Sequence, residues 1–161
     1  MKKYLLIALF LIFQISFGQN NTTTYYFIRH AEKVDASKNP DLSIVGFERA
    51  RLYDNIFAEI KFDAIYSTDY KRTLQTVTPI AATQKIAIKL YDPKTLSIES
   101  FKKENGGKKV LIVGHSNSIP NFVNQIINEK IYSDIADATF GNLYIVVVSD
   151  AKINHQLLKL R

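Results

Sequence analysis

From Thr24 onward, short β-rich runs alternate with longer stretches of helical period, the order expected of a sheet covered by helices. The first run, Thr24 to Arg29 (TYYFIR), reads as a strand and leads directly into His30. Open α/β sheets bind ligands beyond the carboxyl ends of their strands, so Arg29 and His30 stand where a ligand is expected. After a polar loop through Asn39-Pro40, Val45, Arg49, Leu52, Ile56 and Ile60 recur at spacings of three and four. This predicts an amphipathic helix over 43–60 with Ser43 near its N-cap.

Phe62 to Tyr66 reads as a second strand, followed by Ser67-Thr68-Asp69, whose side chains can cap a helix that begins near Tyr70. Arg72 then falls in the first turn of that helix. Pro79 lies within the same pattern and predicts a kink or a tightening, because its ring removes a donor and crowds the preceding turn. Ile86 to Tyr91 reads as a minor edge strand, and Thr95 to Glu104 as a helix stopped by Gly106-Gly107. Val110 to Val113 is a continuous apolar run suited to a strand buried on both faces, with His115 just beyond it. Asn117 or Ser118 can cap the next helix, where Pro120 is tolerated early and which runs through Phe122, Ile126 and Ile127. Asn142 to Ser149 and Ile153 to Leu160 form two closing strands joined at Asp150-Ala151. Tyr25, Phe27 and Tyr144 belong to the core or the sheet surface. The expected fold is α/β: a single three-layer α/β/α sandwich over 24–161, with a mostly parallel central sheet and helices on both faces.

The first 18 residues, MKKYLLIALFLIFQISFG, are patterned differently: two lysines, a continuous apolar run, then small residues. This predicts a secretory signal peptide over 1–18, cleaved after Gly18 or Gln19, and a polar leader over 19–23. The run from Tyr4 to Phe13 is shorter than the roughly 20 residues needed to span a bilayer. The expected product is exported, periplasmic or secreted, without stable membrane insertion after cleavage. A length of 161 residues suits one domain, and 47% apolar with 22% charged residues excludes wholesale disorder. The absence of cysteine excludes disulfides, thiolate metal sites and cysteine nucleophiles. Lys and Arg number 21 against 15 Asp and Glu. That excess suits an anionic ligand but is too weak and dispersed to imply nucleic acid.

Of three histidines, His30 and His115 each stand at a predicted strand end, while Arg29 and Arg72 hold a strand-end and a helix-start position. Taken singly, each reads as a solvated loop residue. Their joint placement predicts four polar groups converging on one edge of the sheet. Guanidinium forks bind phosphate oxygens bidentately, a helix amino terminus adds backbone donors, and imidazoles donate or accept protons. Such a site suits a phosphoryl group.

Arg29-His30-Ala31-Glu32-Lys33 after a strand, then Tyr66-Ser67-Thr68-Asp69-Tyr70-Lys71-Arg72-Thr73 with Thr76 following, then Val113-Gly114-His115-Ser116, resembles the histidine phosphatase (phosphoglycerate mutase-like) superfamily. The resemblance implies a phosphatase acting through a phosphohistidine on His30. Arg29, Arg72 and His115 would hold the phosphoryl oxygens, and no metal or cofactor would be required. Positioning and charge stabilisation should then carry most of the rate. His30 must be neutral to attack, and the neighbouring Arg29 and Arg72 should push its pKa down. Ala31 stands where the family usually has glycine; its methyl group can be accommodated unless the backbone there needs positive φ, which predicts a changed pocket shape and no loss of activity.

Lys33 is expected at the pocket rim, attracting anionic substrate, or in an exposed pair with Glu32. Ser116 joins the substrate-binding set. Asp92 is the candidate proton donor to the leaving alcohol ahead of Glu99, with an Asx-type turn before Pro93 as its alternative reading. Asp63, Asp134 and Asp137 read as ordinary solvated or capping acids, and His155 as structural or exposed. The expected partner is a small phosphorylated substrate. A catalytically silent domain binding a phosphorylated ligand or a protein is the alternative, and a phosphomutase a further one.

Overall fold

The structure, a computed structural model, describes residues 22–150 and 152–160. The predicted signal peptide therefore lies outside the described residues. Six strands form one sheet: β1 (Thr23–Arg29), β2 (Ala64–Ser67), β3 (Ile88–Leu90), β4 (Lys109–Gly114), β5 (Asn142–Ser149) and β6 (Lys152–Lys159), in the order β3-β2-β4-β1-β5-β6. The first four in that order run parallel, and β5 and β6 join antiparallel at one edge.

Four helices cover the sheet: α1 (Ile44–Ile56), α2 (Lys71–Gln84), α3 (Ile98–Glu104) and α4 (Ser118–Ile127). One apolar cluster packs Tyr53 and Phe57 at the end of α1, and Val77 and Ile80 of α2, against Ile28, Ile65, Leu111 and Val113. The opposite cluster packs Phe101 of α3 and Ile119, Phe122, Val123 and Ile126 of α4 against Phe27, Tyr66, Ile112 and Tyr144. Alternate residues of β1 and β4 enter opposite clusters, as the period of two requires. The three-layer sandwich with a mostly parallel sheet is thus present. Among the described residues, no helix is long and apolar enough to cross a membrane.

Two local expectations are corrected. Ser43 does cap α1, its Oγ accepting from the Gly46 N–H at 3.1 Å. The predicted stripe of Val45, Leu52 and Ile56, however, faces solvent, and the buried positions are Gly46, Ala50 and Tyr53. Gly46 decides the rotation: a Cβ there would lie 2.1 Å from the Glu32 carbonyl oxygen, so only glycine lets α1 dock on the segment after β1. Tyr53 completes the docking, donating from its hydroxyl to the Phe140 carbonyl at 2.7 Å. The second correction concerns the start of α2. Its N-cap is the extended Tyr70, without a side-chain cap. The Lys71 N–H instead donates to Asn39 Oδ1 at 2.9 Å, while Thr68 is engaged elsewhere. Pro79 lies inside α2, which continues to Gln84 and ends at the left-handed Lys85.

Candidate active site

Parallel pairing aligns the carboxyl ends of β1, β4 and β2. Arg29 lies opposite Gly114, the His30 N–H donates to the Gly114 carbonyl at 2.9 Å, and Ser67 lies opposite Val113. The residues just past these ends are therefore neighbours. The rings of His30 and His115 sit 5.6 Å apart at 64°. The first turn of α2 brings Arg72 Nη2 to 3.3 Å from His115 Nδ1. The structure thus places His30, His115 and Arg72 side by side at one end of the sheet, with Arg29 next to His30 at the end of β1.

His30 is 4% exposed, and its Nδ1 lies 2.7 Å from the Ala31 carbonyl oxygen. A carbonyl can only accept, so the proton is on Nδ1 and the lone pair on Nε2. Burial is the largest influence on this ring and pushes its pKa down; the Ala31 bond pulls it up, and the charges of Arg29, Arg72 and His115 push it down again, to about 3. The expected direction holds, but desolvation outranks the arginines as its cause. His115 is pushed down to about 4 by burial, then by Arg72 and Arg29. Its backbone N–H donates to Ser118 Oγ at 2.9 Å.

Ala31 does not adopt positive φ. It is fully buried beside Leu42 and Ala50, and its N–H donates to Thr76 Oγ1 at 2.9 Å.

The two arginines are held differently. Arg29 is buried, and its Nη1 serves the carbonyls of Ala136, Asp137 and Thr139 at 3.0, 3.0 and 2.8 Å, with the Phe140 ring 4.4 Å from its Cζ. Its buried Nε has no hydrogen-bond partner. Arg72 is half-buried, stacks over the Tyr70 ring at 4.5 Å and reaches the Lys38 carbonyl at 3.3 Å. It lines a cavity of about 540 Å³ together with Tyr70, His115, Asp92, Lys94 and Asp134. Arg29 and His30 are not among the residues lining that cavity.

Asp92 lines the cavity, and its Oδ1 accepts from the Lys94 N–H at 2.9 Å in an Asx turn. Lys33 is exposed, bridged to Leu42, and is not in the cavity wall, where Lys94 is the lysine instead. Glu32 does not pair with Lys33. It takes a bidentate contact from Arg49, whose Nε lies 2.8 and 2.9 Å from the two carboxylate oxygens. Ser116 is half-buried outside the lining, its carbonyl accepting from the Ile135 N–H at 2.9 Å. That bond ties the segment carrying Asp134 beside His115, which explains how an acid read as ordinary comes to face the cavity. His155 pairs with Tyr132 through Nδ1 at 2.8 Å, on β6. Among the described residues no group of three or more His, Asp or Glu side chains is placed to hold a metal ion.

Residues 25–93 match the family model of the histidine phosphatase superfamily (branch 1). No curated protein matches the chain by sequence. Among solved structures, SixA from Agrobacterium tumefaciens is similar at 18% identity and a TM-score of 0.64, over 85% of this chain and 98% of that one. Phosphoglycerate mutase from Bacillus anthracis is similar at 14% identity and a TM-score of 0.65, over 86% and 93%. Phosphoserine phosphatase from Entamoeba histolytica is similar at 17% identity and a TM-score of 0.55, over 82% and 96%. These likenesses establish a shared fold, and the model match falls on the segment that carries Arg29, His30 and Arg72. In fold over most of its length, and in sequence over that segment, the chain is similar to the histidine phosphatase superfamily.

Proposed function

We propose that the protein is a phosphatase that hydrolyses a small phosphomonoester, or a related phosphoryl compound, through a covalent phosphohistidine on His30. The observation that carries this reading is the state of His30: neutral, its Nδ1 proton committed to Ala31, its Nε2 lone pair free, and the His115 ring beside it with Arg72 against that ring. Nε2 attacks phosphorus as the bond to the leaving oxygen breaks, and a proton goes to that oxygen. Asp92 is the donor assigned to this step, on the strength of its place in the cavity wall. Water then attacks the phosphohistidine, Nε2 recovers its electron pair, and inorganic phosphate leaves. Phosphoryl transfer asks little covalent work of a protein, so fixed positive charge supplies most of the catalysis.

Arg72 and His115 hold the phosphoryl oxygens. Arg29 has its Nη1 spent on three carbonyls and its Nη2 3.8 Å from Asp137 Oδ1, so Nη2 and the unpartnered Nε are the donors left for the anion. A buried donor without an acceptor costs roughly 1–3 kcal/mol, which a bound phosphoryl oxygen would recover. The pattern of residues 1–18 supports placing the reaction outside the cytoplasm.

The test is hydrolysis of p-nitrophenyl phosphate with EDTA present. The wild-type protein turns it over, vanadate inhibits as a mimic of the transferring group, and His30→Ala abolishes turnover. Undiminished turnover by that variant would refute the mechanism.

A further inference from the structure

Thr68, read from the sequence as a helix cap, does something else. Its Oγ1 lies 3.0 Å from His115 Nε2 and 3.1 Å from Thr73 Oγ1. Thr68 and Thr73 are both buried, at 1% and 0% exposure, which leaves water little access to either hydroxyl. The direction of the chain follows from its far end. Thr73 Oγ1 lies 2.8 Å from the Thr68 carbonyl and 2.8 Å from the Tyr70 carbonyl. Carbonyls only accept, so the single Thr73 hydroxyl proton is committed to them, and Thr73 can meet Thr68 Oγ1 only as an acceptor. The Thr68 hydroxyl proton therefore points at Thr73. What Thr68 offers His115 is a lone pair, and Nε2 must carry a proton to meet it.

The other side of the ring gives the same answer independently. Arg72 Nη2 lies 3.3 Å from His115 Nδ1, and a guanidinium has no acceptor. Nδ1 must present a lone pair there. The opposite tautomer would set an N–H against an N–H at Arg72 and a lone pair against a lone pair at Thr68.

We infer that Thr68 is a positioning residue: through the one-way chain His115 Nε2–H, Thr68 Oγ1–H, Thr73 Oγ1–H it fixes the orientation and tautomer of His115, so that Nδ1 is the nitrogen turned to the reacting phosphoryl group. The role in turnover rests on the phosphatase reading above, whereas the tautomer does not. Nδ1 is then the nitrogen through which His115 exchanges a proton with the phosphoryl site or donates to it once charged. Nε2–H stays on Thr68 in either state.

The test is long-range proton–nitrogen NMR of the ¹⁵N-labelled protein without ligand, read alongside p-nitrophenyl phosphate turnover. In the wild type His115 Nε2 should show the shift of a protonated ring nitrogen and Nδ1 that of an unprotonated one. Thr68→Val keeps the side chain's shape but removes the acceptor. It leaves the Nε2 proton without its partner, so it should shift the Nε2 resonance, loosen the ring's orientation and lower kcat by roughly 10–100-fold, the scale of a misplaced catalytic group. Thr68→Ser should restore both readouts. A wild-type spectrum with the proton on Nδ1 overturns the proposal whether or not any variant folds. So does a Thr68→Val variant whose His115 nitrogen shifts are those of the wild type, at any turnover, or a Thr68→Ser variant as impaired as Thr68→Val. A wild-type protein with the expected tautomer but no phosphatase activity would instead count against the reading of function.

Discussion

The two walls of the site are built on opposite plans. On the β1 side, Arg29 is buried, stacked on Phe140 and tied to three backbone carbonyls of 136–139, with His30 locked to Ala31. On the α2 side, Arg72 is half-buried, opens onto the cavity, and makes only two contacts at 3.3 Å besides its stacking on Tyr70. The first wall fixes His30, the proposed nucleophile, and holds a loop in place. The second presents charge to whatever enters. The same residue type therefore ties down backbone in one place and faces an open cavity in the other.

Removing either charge should have the largest effect. Arg29→Ala and Arg72→Ala should each lower kcat for p-nitrophenyl phosphate by about 10²–10³-fold, the scale of one lost transition-state donor. Near-wild-type turnover in either variant would break the comparison on its catalytic side. Urea unfolding should then separate the two. Arg29→Ala strands three carbonyls and should cost about 2–4 kcal/mol, whereas Arg72→Ala should cost about 1 kcal/mol or less. Equal losses would mean that the rigid wall is not rigid through Arg29.

The first wall also depends on α1 docking behind it. Gly46→Ala forces a Cβ to within 2.1 Å of the Glu32 oxygen and should cost about 1–3 kcal/mol as overpacking, measured by the same unfolding. Leu52→Ser, on the exposed face of the same helix, should fall within about 0.5 kcal/mol.

The smallest effect is in pH. His30 and His115 are held near 3 and 4 in the folded chain, while the unfolded chain titrates near the ordinary 6.5. Below pH 6.5 the unfolded state therefore binds protons that the folded state does not, so stability rises with pH through this window and falls on acidification towards the folded values. Between pH 7 and 6 the loss should be roughly 0.7 kcal/mol per histidine, with the slope reduced in His30→Ala. An increase in stability on acidification over that interval would contradict burial as the cause.

The contrast between the walls also marks what the sequence could convey. Strand runs such as Thr24 to Arg29 and Val110 to Val113 carry their own period, and parallel pairing then aligns whatever follows them. That is why Arg29, His30 and His115 were legible as a group. The face of α1 was not, because Gly46, Ala50, Tyr53 and Phe57 repeat with the same helical spacing as Val45, Arg49, Leu52 and Ile56. A glycine in the middle of a helical pattern was the available signal of close approach. Thr68 depends on the β2–β4 register, which no local pattern encodes. The strap over Arg29 consists of backbone carbonyls, which leave no trace in residue type. Lys94 and Asp134 reach the cavity from loops, and no period announces a loop.

The central claim is that His30 carries the phosphoryl group during turnover. The direct measurement is to mix the protein with p-nitrophenyl phosphate, quench at alkaline pH to preserve phosphohistidine, digest, and map the modified peptide by mass spectrometry. The account predicts a transient phosphoryl group on His30, absent from His30→Ala. Turnover without a phosphopeptide, or a phosphoryl group on any other residue, would contradict it.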